Sequence, residues 1–212
     1  MTIHAGHIYL LDDNEDIRLH LGDALRQHGW QVSSFDTATD FLGQSHWLRP
    51  TVLVLDMRMP EMNGLAVQRQ LKLMGQDMPI IFISGESQSQ EIIDAMKGGA
   101  VEFLWKPFEL DALLEAISSA VARDTHNLHQ QRLHGHVQAL YSNLSGREKE
   151  LFPMLLQGMS NKGIAEHTGV LADTVKKHRA NIFSKMQVDN LAGLLQLCEG
   201  FIPQRSAPSS DG

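Results

Sequence analysis

The segment Val52–Val67, VLVLDMRMPEMNGLAV, decides how this chain reads. Four aliphatic residues, Val52 to Leu55, make a continuous apolar run, as expected of a strand buried on both faces. The run ends in a carboxylate, Asp56, and the chain then turns through Met-Pro-Glu-Met-Asn-Gly. Asp is a common turn residue, so Asp56 taken singly carries no chemistry. Its meaning depends on what other strand ends bring to the same place.

Outward from this segment, short apolar runs alternate with helix-length amphipathic stretches. Ile8–Leu11, Gln31–Phe35, Ile80–Ser84 and Val101–Leu104 read as further strands, and 15–28, 37–46, 64–74, 88–98 and 109–122 as helices. Five strands alternating with helices predict an α/β unit over residues 1–122: a doubly wound parallel sheet with helices on both faces. Residues 123–141 turn polar and rich in His and Gln, and read as a partly helical linker. Within and just beyond it, Leu133, Val137, Leu140 and Leu144 follow a 4-3-4 spacing that predicts one apolar seam. Residues 142–200 are wholly helical in pattern, an all-α four-helix domain whose segments are split by Gly158, Gly169 and Asp189–Asn190. The end, 201–212, reads as a disordered tail.

Charge supports two domains with different partners. Residues 1–124 hold 9 Lys/Arg against 18 Asp/Glu, whereas 125–212 hold 9 against 7. The second part therefore tolerates a polyanion, and the first does not. One cysteine, Cys198, excludes an intramolecular disulfide and a Cys-rich metal site. The opening MTIHAGHIYLLDDNED lacks a basic stretch before its apolar residues and does not read as a signal peptide. No apolar run approaches the roughly 18 residues that span a bilayer, so a cytoplasmic location without membrane contact is expected.

Complementary groups do gather at the strand ends. LLDDNED places Asp12 and Asp13 at the carboxyl end of the first strand, and the crevice outside such ends is the natural ligand site of a doubly wound sheet. Three carboxylates meeting there repel one another unless a cation neutralises them. A hard divalent ion with oxygen ligands, Mg²⁺ or Mn²⁺, is the remedy. IIFISGES brings the Ser84 hydroxyl to the same rim, with Gly85 leaving room beside it, and EFLWKPF brings the Lys106 ammonium. Acids, a metal, a hydroxyl and a lysine suit a phosphoryl group, with Asp56 as the nucleophile that accepts it. Taken one at a time, Asp13, Asn14 or Asp16 reads as a helix cap and Ser84 as a turn residue. It is the combination that carries the chemistry.

These four motifs together resemble the receiver domain of two-component response regulators, over residues 7–122. The resemblance implies a flavodoxin-like fold and phosphoryl transfer from a sensor histidine kinase to Asp56. It also implies Mg²⁺ held by Asp13, Asp56 and the backbone carbonyl of Arg58, with Asp12 assisting, and Ser84 and Lys106 on the phosphoryl oxygens. Phe103 falls at the switch-aromatic position, and the Lys106–Pro107 bond is commonly cis in such domains. Pro60, Asn63 and Gly64 would shape the loop that presents the Arg58 carbonyl.

The C-terminal helices carry a helix–short turn–helix pattern. Val175, Ile182 and Met186 repeat along one face of the second helix, while Asp173, Lys176, Lys177, Ala180 and Ser184 fall on the other. LSGREKEL, SNKGIAEHTGV and TVKKHRANIFSKM resemble the LuxR-type DNA-binding domain, over 142–199. By that resemblance Lys176 and Lys177 read bases, with Asn161, Lys162, Thr174 and Arg179 nearer the phosphates. Leu171 stands where the family usually has a capping Ser, and Asp173 where Lys or Arg is frequent. Asp173 is expected to cap instead. Its charge lowers non-specific affinity, so dimerisation is expected to be needed for useful binding.

The whole resembles a FixJ/NarL-like response regulator: a phosphoacceptor with at most slow self-dephosphorylation, not an enzyme. By that resemblance a homodimer forms on phosphorylation, through the face near 88–108, and binds promoter DNA and RNA polymerase. Two rival readings stand beside it. An aspartate-nucleophile phosphatase wants an acid two residues beyond its nucleophile, where Arg58 stands. A receiver joined to a helical protein-interaction module would not bind DNA at all. The linker histidines His126, His129, His134 and His136 are too irregularly spaced to predict a metal site.

Overall fold

The computed structural model describes residues 4–201, and the chain divides after Leu128 into two compact units. The first unit alternates strand and helix: β1 (His7–Leu11), α1 (Glu15–Gln27), β2 (Gln31–Phe35), α2 (Ala38–Leu42), β3 (Thr51–Asp56), α3 (Gly64–Leu73), β4 (Ile80–Ser84), α4 (Ser89–Lys97) and β5 (Glu102–Trp105), followed by α5 (Leu110–Ser142). All pairings are parallel and the strand order is β2-β1-β3-β4-β5. This is the doubly wound sheet expected, with its topological switch between β1 and β3.

The period of two in the strands explains why helices cover both faces. Ile8, Leu10, Val52, Val54, Ile81 and Ile83 pack with Leu25 of α1 and with Leu113, Ile117 and Ala120 of α5. Tyr9, Leu11, Leu53, Leu55 and Phe82 pack on the other face with Phe41, Val67, Leu71 and Ala95, from α2, α3 and α4. Every residue of β1, β3 and β4 is buried, whereas the edge strands β2 and β5 are partly exposed. Side-chain caps set the starts of the first three helices: Ile17 N–H donates to Asn14, Asp40 N–H to Thr37 and Ala66 N–H to Asn63.

Helix α5 corrects one expectation. It runs unbroken to Ser142, where the sequence pattern predicts an end at 122 and a partly helical linker over 123–141. That stretch has no Pro and a single Gly, so nothing in it stops a helix already under way. Its wholly buried Asp124 accepts from Arg49 Nε at 2.7 Å and from Thr51 N–H at 2.8 Å, which fastens it to the start of β3. Val137 and Leu140 are buried as the seam requires, but Leu133 is 43 % exposed. Among the described residues no helix is long and apolar enough to cross a membrane.

The second unit adds α6 (Gly146–Leu156), α7 (Asn161–Thr168), α8 (Ala172–Lys185) and α9 (Leu191–Leu197) around Leu151, Phe152, Leu155, Ile164, Val175, Ile182, Met186 and Leu194. A capping box starts α6: Glu148 N–H donates to Ser145 Oγ and Ser145 N–H to Glu148. The same carboxylate, buried at 3 % exposure, accepts from Lys185 Nζ at 2.6 Å and so ties α6 to the end of α8. Burial alone would raise its pKa, but the Lys185 ammonium and the Ser145 donors outweigh this and hold it below the ordinary value. Gly169, at φ +70°, closes α7 in the left-handed conformation and makes the turn into α8. Phe201, assigned from sequence to the tail, is buried in this core, and 202–212 lie outside the described residues.

Candidate functional site

Parallel register brings the strand ends level. Leu11 pairs with Leu55, so Asp12 and Asp56 leave adjacent strands at one height. Asp56 pairs with Ile83 and Ser84 with Trp105, which sets Ser84 and Lys106 at the same rim. Lys106 N–H donates to the Ser84 carbonyl at 2.7 Å and carries the ladder one residue further. The Lys106–Pro107 bond is cis, as expected.

The Lys106 ammonium donates to Asp12 Oδ2 at 2.7 Å and to Asp56 Oδ1 at 2.6 Å. The free oxygens of both acids are held by backbone. Asn14 N–H donates to Asp12 Oδ1 at 2.9 Å, and Arg58 N–H to Asp56 Oδ2 at 2.6 Å. Asp12 and Asp56 are 1 % and 5 % exposed. The Asp56 carboxylate is therefore fixed by a strand, with a lysine on one oxygen and a backbone amide on the other.

Two carboxylates share one ammonium, and the charges settle accordingly. Burial, with Asp12 close by, pushes the Asp56 pKa above the ordinary carboxylate value despite Lys106 and the Arg58 amide. Burial would lower Lys106, but its two carboxylate partners outweigh that and raise it. One carboxylate is left short of positive charge. That donor set, hard oxygens with excess negative charge, suits a hard divalent cation. Among the described residues no three His, Cys, Asp or Glu side chains are gathered closely enough to hold a metal, so Asp12 and Asp56 are the assembled pair.

The remaining expected residues are placed as follows. Asp13 is exposed and borders a groove with Asp36, Thr37, Met59 and Pro60, whose lining does not include Lys106. Ser84 is fully buried at the rim, but its hydroxyl donates to the Glu86 carbonyl at 2.7 Å and accepts from Ser87 Oγ at 2.9 Å. Beside it, a Cβ at Gly85 would meet nothing within 4 Å, so the absence of that one atom is not what clears the space there. Gly64 is different: a Cβ there would lie 2.8 Å from both the Asp56 carbonyl oxygen and Phe82, so only glycine lets α3 start this close to Asp56. Phe103 is half-buried between Phe82 and the exposed Trp105, with ring centroids at 6.4 and 5.3 Å. Sequence reasoning missed the Arg58 side chain, which pairs with Glu91 at 2.7 Å and links the loop after β3 to the start of α4. A partner 33 positions away leaves no local signal.

In the second unit, α8 buries Val175 and Ile182 and exposes Asp173, Lys176, Lys177, Ala180 and Ser184. Thr174 is half-buried, and Lys162 is exposed on α7. Asn161 and Arg179 are joined, Nη1 donating to Oδ1 at 3.3 Å, and the guanidinium also lies over the Phe183 ring. Asp173 does not cap. The N-cap is Leu171, 79 % exposed, whose side chain makes no capping hydrogen bond. Asp173 already lies inside the first turn, past the position from which a carboxylate reaches the free amides.

Comparison with known proteins assigns both units. Residues 8–118 match the response regulator receiver domain, and residues 142–198 match the bacterial regulatory proteins of the luxR family. The chain is 38 % identical to the response regulator protein TmoT of Ectopseudomonas mendocina, over 91 % of this chain and 87 % of that one. It is 34 % identical to the transcriptional regulatory protein FixJ of Rhizobium meliloti, over 96 % and 100 %. The solved structure of the response regulator StyR superposes with a TM-score of 0.81 at 37 % identity, covering 92 % of this chain and 99 % of that one. The chain belongs to the two-component response regulators, a receiver domain followed by a LuxR-type DNA-binding domain.

Proposed function

We propose that Asp56 accepts a phosphoryl group from a sensor histidine kinase and that its phosphorylation controls promoter binding by α8. The observation that carries this is the Lys106 ammonium shared between Asp12 and Asp56 in the crevice outside the parallel strand ends. Receiver domains bind Mg²⁺, and Asp12, Asp13, Asp56 and the Arg58 backbone carbonyl would hold it here. Bound there, the cation supplies positive charge to offset the phosphoryl oxygens. Lys106 lies close enough to turn from Asp56 to a phosphoryl oxygen, and the Ser84 hydroxyl would leave Glu86 to donate to another. Phe103 then repacks in the space that Ser84 and its loop vacate. Arg58 occupies the place a phosphatase would give to an acid, so turnover is limited to slow self-dephosphorylation.

The dimer surface is α4 with β5. Ile93, Met96 and Trp105 stand there 43–47 % exposed, three large apolar side chains left partly open to solvent in the monomer. Two α8 helices brought together by this dimer would reach half-sites about one helical turn apart, where RNA polymerase can be recruited. Lys176 and Lys177 are the base readers, and Asn161, Lys162, Thr174 and Arg179 lie toward the phosphates. The protein works in the cytoplasm, with its kinase as the link to the signal.

Sedimentation of the full chain with Mg²⁺ tests the gating step. Beryllofluoride, which stands in for the phosphoryl group on Asp56, raises the dimer fraction, and Trp105→Ala blunts that rise. Equal dimer fractions with and without beryllofluoride contradict the proposal.

A further inference from the structure

We propose that Asp173 is a specificity-determining residue that reads a cytosine in the operator; this rests on the reading that α8 is the helix presented to DNA. An acid at this place needs an explanation. Asp173 stands on the exposed face of α8 with Lys176, Lys177, Ala180 and Ser184, and a carboxylate brought toward phosphates costs affinity.

Structural roles do not account for it. It does not cap α8, whose N-cap is Leu171. The ion pairs of this unit among the described residues are Arg147–Glu150, Lys162–Glu166 and Lys185–Glu148, and none includes Asp173. Lys177 stands one turn further along the same face, at the spacing that favours a pair, yet the two are not joined. A favourable interaction with the helix dipole remains, but an uncharged cap at 171 would serve the helix start without setting a negative charge before DNA.

The chemistry of the major groove selects the partner. An ionised carboxylate only accepts hydrogen bonds. Guanine shows acceptors at N7 and O6, thymine shows O4 and a methyl group, and adenine sets its N6 donor beside the N7 acceptor. Cytosine presents the N4 amino group as a donor, and it is the base that Asp and Glu address. The N-terminal residues of a recognition helix are those that approach base edges, which is where Asp173 lies. The same charge then rejects guanine and thymine by facing their acceptors, so discrimination is gained by repulsion as well as attraction.

The test uses the full chain activated with beryllofluoride, on an operator selected from random duplexes and then varied one base pair at a time. The wild type is expected to favour cytosine at one position of each half-site by about tenfold. Asp173→Ala and Asp173→Asn flatten that preference for cytosine and bind random-sequence duplex at least as tightly as the wild type. N4-methylcytosine at that position, which removes the major-groove N–H, weakens the wild type and leaves Asp173→Ala unchanged. The proposal is overturned if Asp173→Ala keeps the cytosine preference, or if it gains equally on all sequences, which marks simple repulsion. If Lys176→Ala/Lys177→Ala binds the operator like the wild type, the placing of α8 on DNA fails instead, whatever Asp173 does.

Discussion

Asp56→Asn abolishes labelling by acetyl phosphate, with the labelling rate falling by about a thousandfold or more, the scale on which loss of a nucleophile acts. The amide lacks the charged oxygen that the proposed reaction needs as nucleophile, while the rest of the crevice is kept: Lys106 still has Asp12, and the Arg58 N–H can still donate to the amide oxygen. The fold itself gains or loses little. Burial already disfavours the charged form of Asp56, so a neutral replacement removes a cost along with a partner. A raised pKa also sets a direction with pH. In the metal-free protein the carboxylate form is lost on acidification at a pH above the ordinary carboxylate value, and a divalent cation bound beside Asp56 would move that loss to lower pH. Mass spectrometry of the intact chain across pH reads both effects. Full labelling of the Asn variant would remove Asp56 from its role.

Lys176→Ala/Lys177→Ala lowers operator affinity by about a hundredfold or more, since each lysine on a base edge contributes about 1–3 kcal/mol of discrimination and also neutralises nearby phosphate charge. Both side chains are exposed on α8 and neither enters an ion pair among the described residues, so the substitutions leave the core of Val175, Ile182 and Met186 intact. Titration against the operator at several salt concentrations distinguishes base reading from bulk charge. The slope of affinity against salt should become shallower by roughly one unit for each phosphate that a lysine no longer neutralises. Unchanged affinity would assign the second unit's surface to some other role, such as a protein partner.

Much of this was legible because parallel sheets turn sequence into geometry. Once the short apolar runs read as strands of one parallel sheet, the residues at their carboxyl ends had to share a rim, and Asp12, Asp56 and Lys106, from β1, β3 and the end of β5, do. The turn at Gly169 and the buried face of α8 followed in the same way from a left-handed position and a helical period. What stayed hidden depends on partners that no period encodes. The Ser84 hydroxyl bonds within its own loop, a rotamer choice that sequence does not register. Arg58 finds Glu91 across the β3–α3 and β4–α4 loops. Helix α5 runs on past 122 because nothing stops it, and polar composition alone was a poor guide to its end. Leu133 keeps the seam's spacing yet stays exposed, since a period sets which face a residue lies on and not whether anything covers it.

The proposed coupling of Asp56 to α8 is tested most directly by the operator affinity of the full-length chain before and after treatment with acetyl phosphate and Mg²⁺. A two-state switch of ordinary strength predicts about a tenfold gain for the wild type. No gain is predicted for Asp56→Asn under the same treatment. Equal affinities for treated and untreated wild type, in protein shown to carry the phosphoryl group, would contradict the account.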